Sequence, residues 1–239
     1  MDRGCDGRTR RASYGGGVNV FAGIVSTTAR VSALPGALPG KLVLAHQEGW
    51  FRGELGDSVA VSGCCLTVID AGRGWIAVEV VPETLRRTTL GALRLDDPVN
   101  LEASLPLQGA VGGHLVSGHV DATGQIVAVS PEVNAVWVEI EVSASVARYC
   151  VPQGSIAVDG CSLTLVTVAD APSGSALIRI SLIPHTVAST IASGYGPGAL
   201  VNLEADQIAK LVERLAIPYL SRSNQGPARG QAEAQRTCA

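Results

Sequence analysis

The sequence predicts an all-β chain of two tandem small barrels carrying short helices, followed by one longer C-terminal helix. Three observations carry that expectation. Four blocks recur in the same order: FAGIVSTTARV at 21–31 returns as VSGHVDATGQI at 116–126, SVAVSGCCLTV at 58–68 as SIAVDGCSLTL at 155–165, VPETLRRTTLG at 81–91 as IPHTVASTIAS at 183–193, and VNLEAS at 99–104 as VNLEAD at 201–206. Their offsets run 95, 97, 102 and 102, the mark of a duplicated unit with small insertions in the second copy, placed at 170–175. Within each unit, short runs of Val, Ile, Leu and Thr are punctuated by Gly, Pro and Asp, as closely spaced strands are. Finally, 46% hydrophobic residues and 28 glycines against 16% charged residues suit a chain that buries a core and turns often.

Taken in order, residues 1–19 (MDRGCDGRTRRASYGGGVN) are polar, basic and glycine-rich, and are expected to be disordered. Arg10 and Arg11 resemble a twin-arginine signal, but no proper apolar segment follows, and translation beginning near Val20 explains the stretch more simply. SVAVSG, CLTVIDA, WIAVEVV and PVNLEAS are strands by length and composition, and in IAVEVV the alternation turns Glu79 away from Val78 and Val80. PETLRRTTLGAL, with Pro82 in the first turn and a glycine near its end, predicts a short helix. Several short strands and one short helix per copy suggest a small closed barrel in each half. After the second VNLEA, DQIAKLVERLAIPYL places Asp206 at a helix N-cap, Ile208, Leu211, Val212 and Leu215 on one face, and Pro218 where it ends or kinks the helix. The first copy has GGHLVSGH at the corresponding place, so the helix is an addition whose apolar stripe needs a cover, either its own barrels or other subunits. The expected division is 1–19 disordered extension, 20–115 first barrel, 116–205 second barrel, 206–222 helix and 223–239 disordered tail.

Composition excludes several functions. A net charge of -3 supplies no basic field for a phosphate backbone, so no nucleic acid is expected. No apolar run approaches the roughly 18 residues a membrane helix requires, so no membrane span is expected. Cys5, Cys64, Cys65, Cys150, Cys161 and Cys238 are irregularly spaced, two of them adjacent, which is not a disulfide framework. There is no CxxC or HxxxH pair and the four histidines are scattered, so no metal is expected either. Together these features point to a reduced, cytoplasmic protein.

Cys65, Ser162, His119, Asp159 and Asp206 are the polar residues with chemical potential. Taken singly they say little: a strand cysteine is usually a small buried hydrophobe, a serine usually satisfies a neighbouring carbonyl, and a histidine is commonly semi-buried and paired. Glu83 alone is an ordinary first-turn carboxylate. The duplication adds weight, because two like barrels can each bind one copy of the same flat ligand, making a reaction between two identical molecules natural. Symmetry is then broken where the copies differ in polar chemistry: Ile24/His119, Ser62/Asp159, Cys65/Ser162, Glu83/His185 and Ser104/Asp206.

The blocks FAGIV, GCCLTV, PETLRRTTLG, GGHLVSGHVDATG, GSIAVDGCSLT, SLIPHT and VNLEAD with IAK and VERL resemble the riboflavin synthase family, the alpha-chain type with paired lumazine-binding domains, over roughly 21–215. The resemblance implies two six-stranded Greek-key barrels and a C-terminal helix that builds a homotrimer. It implies dismutation of two 6,7-dimethyl-8-ribityllumazine molecules into riboflavin and 5-amino-6-ribitylaminouracil, the last step of riboflavin biosynthesis, without metal or redox cofactor. One lumazine loses a proton from its C7 methyl group while the other takes a nucleophile at C7, in a site between the first barrel of one subunit and the second barrel of its neighbour. By the resemblance, Ser162, Asp206, Cys65, His119 and Asp159 are catalytic, with His119 the candidate for moving the methyl proton. Phe21, Gly23, Ile24, Val25, Ser58, Leu66, Thr67, Glu79, Glu83 and Thr84 are expected to bind ligand in the first barrel. Gly118, Val120, Gln153, Leu163, Thr164, Ser181, Ile183, His185 and Thr186 are expected to do so in the second. Ala22, Ser62 and Gln153 depart from the family's usual threonine, asparagine and lysine. The alternative is a non-catalytic lumazine- or flavin-binding protein of the same fold. Association with lumazine synthase is left open.

Overall fold

The computed structural model describes residues 20–36, 40–106 and 108–223. The expectations for 1–19 and for the tail beyond Ser223 fall outside the described residues. The first barrel comprises β1 (Thr27–Ala33), β2 (Gly40–His46), β3 (Ser58–Val61), β4 (Cys64–Gly72), β5 (Trp75–Val80) and β6 (Pro98–Ala103). The second comprises β7 (Ala122–Glu132), β8 (Ala135–Val142), β9 (Ser155–Val158), β10 (Cys161–Asp170), β11 (Ala176–Leu182) and β12 (Leu200–Ala205). Both sheets close, the first in the order β1-β2-β5-β4-β3-β6 and the second in the equivalent order, all pairs antiparallel. Because β2 pairs with β5 and β3 with β6, the chain crosses each barrel as a Greek key. The inserted residues at 170–175 lie at the turn between β10 and β11.

Each barrel has its own core. Leu42, Leu44, Ile76 and Leu101 fill the first, and Ile126, Ile140, Ile156, Leu165 and Ile178 the second, each stabilising the fold by roughly 1.5–3 kcal/mol on burial. Glu79 is exposed between buried Val78 and Val80, as alternation requires. The helix expected over PETLRRTTLGAL is instead two pieces, α1 (Pro82–Arg87) and a 3-10 turn at Thr89–Ala92. Thr88 breaks it: its backbone is extended, and its hydroxyl donates to Thr84 O and accepts from Leu90 N. Thr190 does the same between α3 (Pro184–Ser189) and the turn Ile191–Gly194. A short helix, α2 (Ala144–Ala147), connects β8 and β9.

The barrels join through elements the repeat placed in equivalent positions. Phe21 and Val116 exchange both backbone hydrogen bonds, at 2.8 and 3.0 Å, and pack with Ala60 and Ala157 in a small cluster of their own. Asn100 donates to Asp159 O and accepts from Ile191 N, while Asn202 donates to Ser62 O and accepts from Thr89 N. The helix α4 (Gln207–Ser223) is anchored to the second barrel by Lys210 on Asp121 (2.6 Å) and by the Tyr149 hydroxyl donating to Glu213 (2.7 Å). Pro218 does not end it, since the helix continues to Ser223; a proline forfeits one amide bond without undoing turns already formed on either side.

Candidate functional site

Two equivalent positions, one on each barrel, are each completed by a segment from the other half of the chain. In the first, Cys64, Cys65, Glu83, Thr84, Arg87, Thr88, Gly118, His119 and Val120 line a cavity of about 150 Å³. The Cys65 amide donates to Gly118 O at 2.8 Å, so 118–120 lie on the first barrel although they open the second repeat. In the second, the Ser162 amide donates to Gly23 O, also at 2.8 Å, so the start of the first repeat lies on the second barrel. This reverses the expected allotment of 23–25 to the first barrel and 118–120 to the second. The cause is the antiparallel Phe21–Val116 contact, beyond which each strand runs onto its neighbour's barrel. Both crossing points are glycine with φ of +72° and +78°, and a Cβ there would stand 2.6 Å from Ser162 Cβ or 2.5 Å from Cys65 Cβ. Only glycine combines that left-handed backbone with so close an approach.

The second groove holds a contact the sequence reading missed: His114 Nδ1 lies 2.7 Å from Ser162 Oγ. Its Nε2 is buried and has no hydrogen-bond partner among the described residues. Burial lowers the His114 pKa, opposed by the charge of Asp206, so the ring is held neutral near pH 7. Asp206 also caps α4, accepting from Ile208 N at 2.8 Å. Gly113 brings the chain past Ala22 O and Ser162 too closely for a side chain: a Cβ there would stand 2.4 and 2.6 Å from them. The signal was in GGHLVSGH, where His114 precedes His119 by five positions and follows two glycines. In the first groove, burial pushes the Cys65 thiol up, with a hydrogen bond to Ser58 opposing, and pushes Cys64 up to about 12. Both are therefore thiols, not thiolates, at neutral pH.

The remaining expected residues divide by position. Cys65, Glu83, Thr84, Gly118, His119 and Val120 share the first cavity, which also contains Arg87, a cation the sequence reading did not assign. Glu83 accepts from Arg86 and from Arg87 (2.6 Å), and Arg86 above all draws its pKa down. Three residues face inward instead. Phe21 is wholly buried between the barrels, Leu66 belongs to the first core, and Asp159 is 2% exposed. The Asp159 carboxylate accepts from Tyr195 Oη (2.7 Å) and Asn202 N (2.8 Å), just as Ser62 Oγ accepts from Asn100 N (3.2 Å). The pair shares the bond to the facing asparagine amide, Asp159 adds the Tyr195 hydroxyl, and it sits in the joint, outside the lining of the first cavity. Ser62 and Asp159 both take left-handed backbone, φ +42° and +45°.

Of the others, Thr67 pairs with buried Ser58 across β3 and β4. Leu163 packs against the second core and Ser181 faces Trp137 across β8 and β11. Thr186 gives its carbonyl to the Thr190 hydroxyl. Ile24, Thr164, Ile183 and His185 are exposed, Val25 half-buried, and Gln153 is exposed at a turn with φ +65°.

A lumazine binding domain model matches residues 22–104 and again 117–206. Riboflavin synthase from Actinobacillus pleuropneumoniae is 38% identical over 190 residues, covering 74% of this chain and 86% of that one. The chain belongs to the riboflavin synthase family. Riboflavin synthase from Bacillus subtilis (strain 168) is 41% identical over 172 residues, covering 72% of this chain and 76% of its own. That from Mycobacterium bovis is 48% identical over 161 residues, covering 67% and 79%. Among solved structures, LumP complexed with 6,7-dimethyl-8-(1'-D-ribityl) lumazine superposes with a TM-score of 0.68 over 77% of this chain and 98% of that one, at 19% identity, a likeness of fold. The two matched ranges of the family domain are the two repeats, and in each the segment that opens the repeat is bonded to the other barrel.

Proposed function

We propose that the chain is a riboflavin synthase whose two unlike grooves each hold one 6,7-dimethyl-8-ribityllumazine, passing a four-carbon unit from one to the other to give riboflavin and 5-amino-6-ribitylaminouracil. The observation that carries this is the 2.7 Å His114–Ser162 contact at the position on the second barrel equivalent to the cavity that presents Cys65 and His119 on the first. His119, exposed at the first cavity, takes the C7 methyl proton of one lumazine. His114, kept neutral by burial, accepts a proton from Ser162 or from a water that Ser162 orients, supporting addition at C7 of the other. Cys65, held as a thiol, donates a hydrogen bond to the bound ring system and does not attack it. Both products contain only atoms of the two substrates.

Donor and acceptor lumazine meet across a subunit boundary in a homotrimer. The exposed stripe on α4, with Ile208 at 62%, Leu211 at 54%, Val212 at 59% and Leu215 at 69%, supports such an assembly. No described helix is long and apolar enough to cross a membrane, and the reading places the enzyme in the cytoplasm. Incubating the purified protein with 6,7-dimethyl-8-ribityllumazine alone tests the activity. Riboflavin should appear at one molecule per two consumed, and binding without turnover would reject the proposal.

A further inference from the structure

The repeated VNLE block has no part in the chemistry above, yet all four of its residues are buried in both copies. Strand alternation divides them. Val99 and Leu101 enter the first core, Val201 and Leu203 the second, and Asn and Glu face the other way, into the joint between barrels. The asparagines brace the opposite barrel's 3-10 turn. The glutamates reach the segments that cross over. Glu204, on β12, accepts from Ser117 N (2.7 Å), Ser117 Oγ (2.7 Å) and Gly118 N (2.9 Å). Glu102, on β6, accepts from Ala22 N at 2.7 Å, with the Gly23 and Ile24 amides directed at the same carboxylate, while its Oε2 forms no full hydrogen bond.

Those segments complete the two equivalent positions. Gly118 is bonded to Cys65 and leads into His119 and Val120 at the first cavity, and Gly23 is bonded to Ser162 on the second barrel. We infer that Glu102 and Glu204 are positioning residues with crossed targets: Glu204, a second-barrel residue, sets the Cys65–His119 groove, and Glu102, a first-barrel residue, sets the Ser162 groove. A carboxylate suits the task because each oxygen accepts and neither donates, so backbone amides converge on it without conflict. A glutamine at 204 turns an N–H toward either the Ser117 or the Gly118 amide, and the segment must move.

The inference rests on the reading of the grooves as lumazine sites, but its first test is independent of that reading. Peptide-resolved hydrogen exchange of the full-length protein should show faster exchange at 116–120 in Glu204→Gln with 21–25 unchanged, and the reverse in Glu102→Gln. Should Glu204→Gln not fold, Ser117→Ala removes one of its three bonds and should act at 116–120 in the same direction. Titration with 6,7-dimethyl-8-ribityllumazine should then show each glutamine variant retaining one binding equivalent at wild-type affinity while the other weakens about tenfold, the loss of a charge-assisted bond. Equal loosening of both segments in each variant, or equal loss at both sites, would overturn the crossed assignment. If the wild type binds no lumazine, the functional reading fails and the exchange pattern alone decides the positioning role.

Discussion

His114 shows how a residue's role depends on what the fold brings to it. The GGHLVSGH block marks it only by its place after two glycines, whereas against Ser162, half-buried and neutral, it is a base beside a hydroxyl. If the two act as one unit, His114→Ala and Ser162→Ala should each lower kcat by roughly 10²–10⁴, and the double variant should be little worse than either. Losses that multiply in the double variant would separate them. Glu102 makes a pH prediction. Burial raises its pKa from 4.5 to about 7, so the folded chain holds that proton more tightly than the unfolded one. Its contribution is therefore greatest below pH 4.5 and falls as pH rises to about 7. Asp159, raised from 3.8 to about 6, acts in the same direction, and His114, lowered from 6.5, acts in the opposite one. The difference between wild type and Glu102→Gln isolates the glutamate: the urea midpoint of the variant should gain on wild type between pH 4.5 and 7. A gap independent of pH would contradict the buried charge.

At the scale of elements, the strands were legible because period-two alternation and turn residues are local. SVAV, WIAVEV and PVNLEA begin and end within a residue or two of expectation. The break at Thr88 was not legible, because it depends on a hydroxyl choosing Thr84 O over continued helix. Nor was the exchange of segments: local pattern assigns 23–25 to the strand that follows, and only the Phe21–Val116 pairing sends it to the other barrel. The same limit hid the contacts of Asp159, whose carboxylate accepts from Tyr195 Oη and Asn202 N between the barrels. The apolar face of α4 was legible, its anchors were not. Because Lys210 and Glu213 hold the helix to the second barrel independently of its stripe, Leu211→Glu with Leu215→Glu should leave the barrels folded and, on the proposed trimer, dissociate the chains and abolish turnover. Sedimentation alongside the activity assay checks this, and an active monomer would reject a site shared between chains.

For the whole molecule, the proposed function takes duplication as supplying two copies of one binding geometry, and a few unlike residues as supplying two fates. The exchange of opening segments ties the halves so that neither groove is complete within its own repeat, which fits a reaction that needs both occupied. On the proposed function, the Cys65–His119 cavity of one chain works with the Ser162–His114 pair of another. Mixing chains carrying His119→Gln with chains carrying Ser162→Ala, under conditions that exchange subunits, tests it most directly. Mixed oligomers then contain junctions with both grooves intact, and riboflavin formation should rise well above the sum of the separate variants. Activity that never exceeds that sum would place the reacting pair within a single chain and contradict the account.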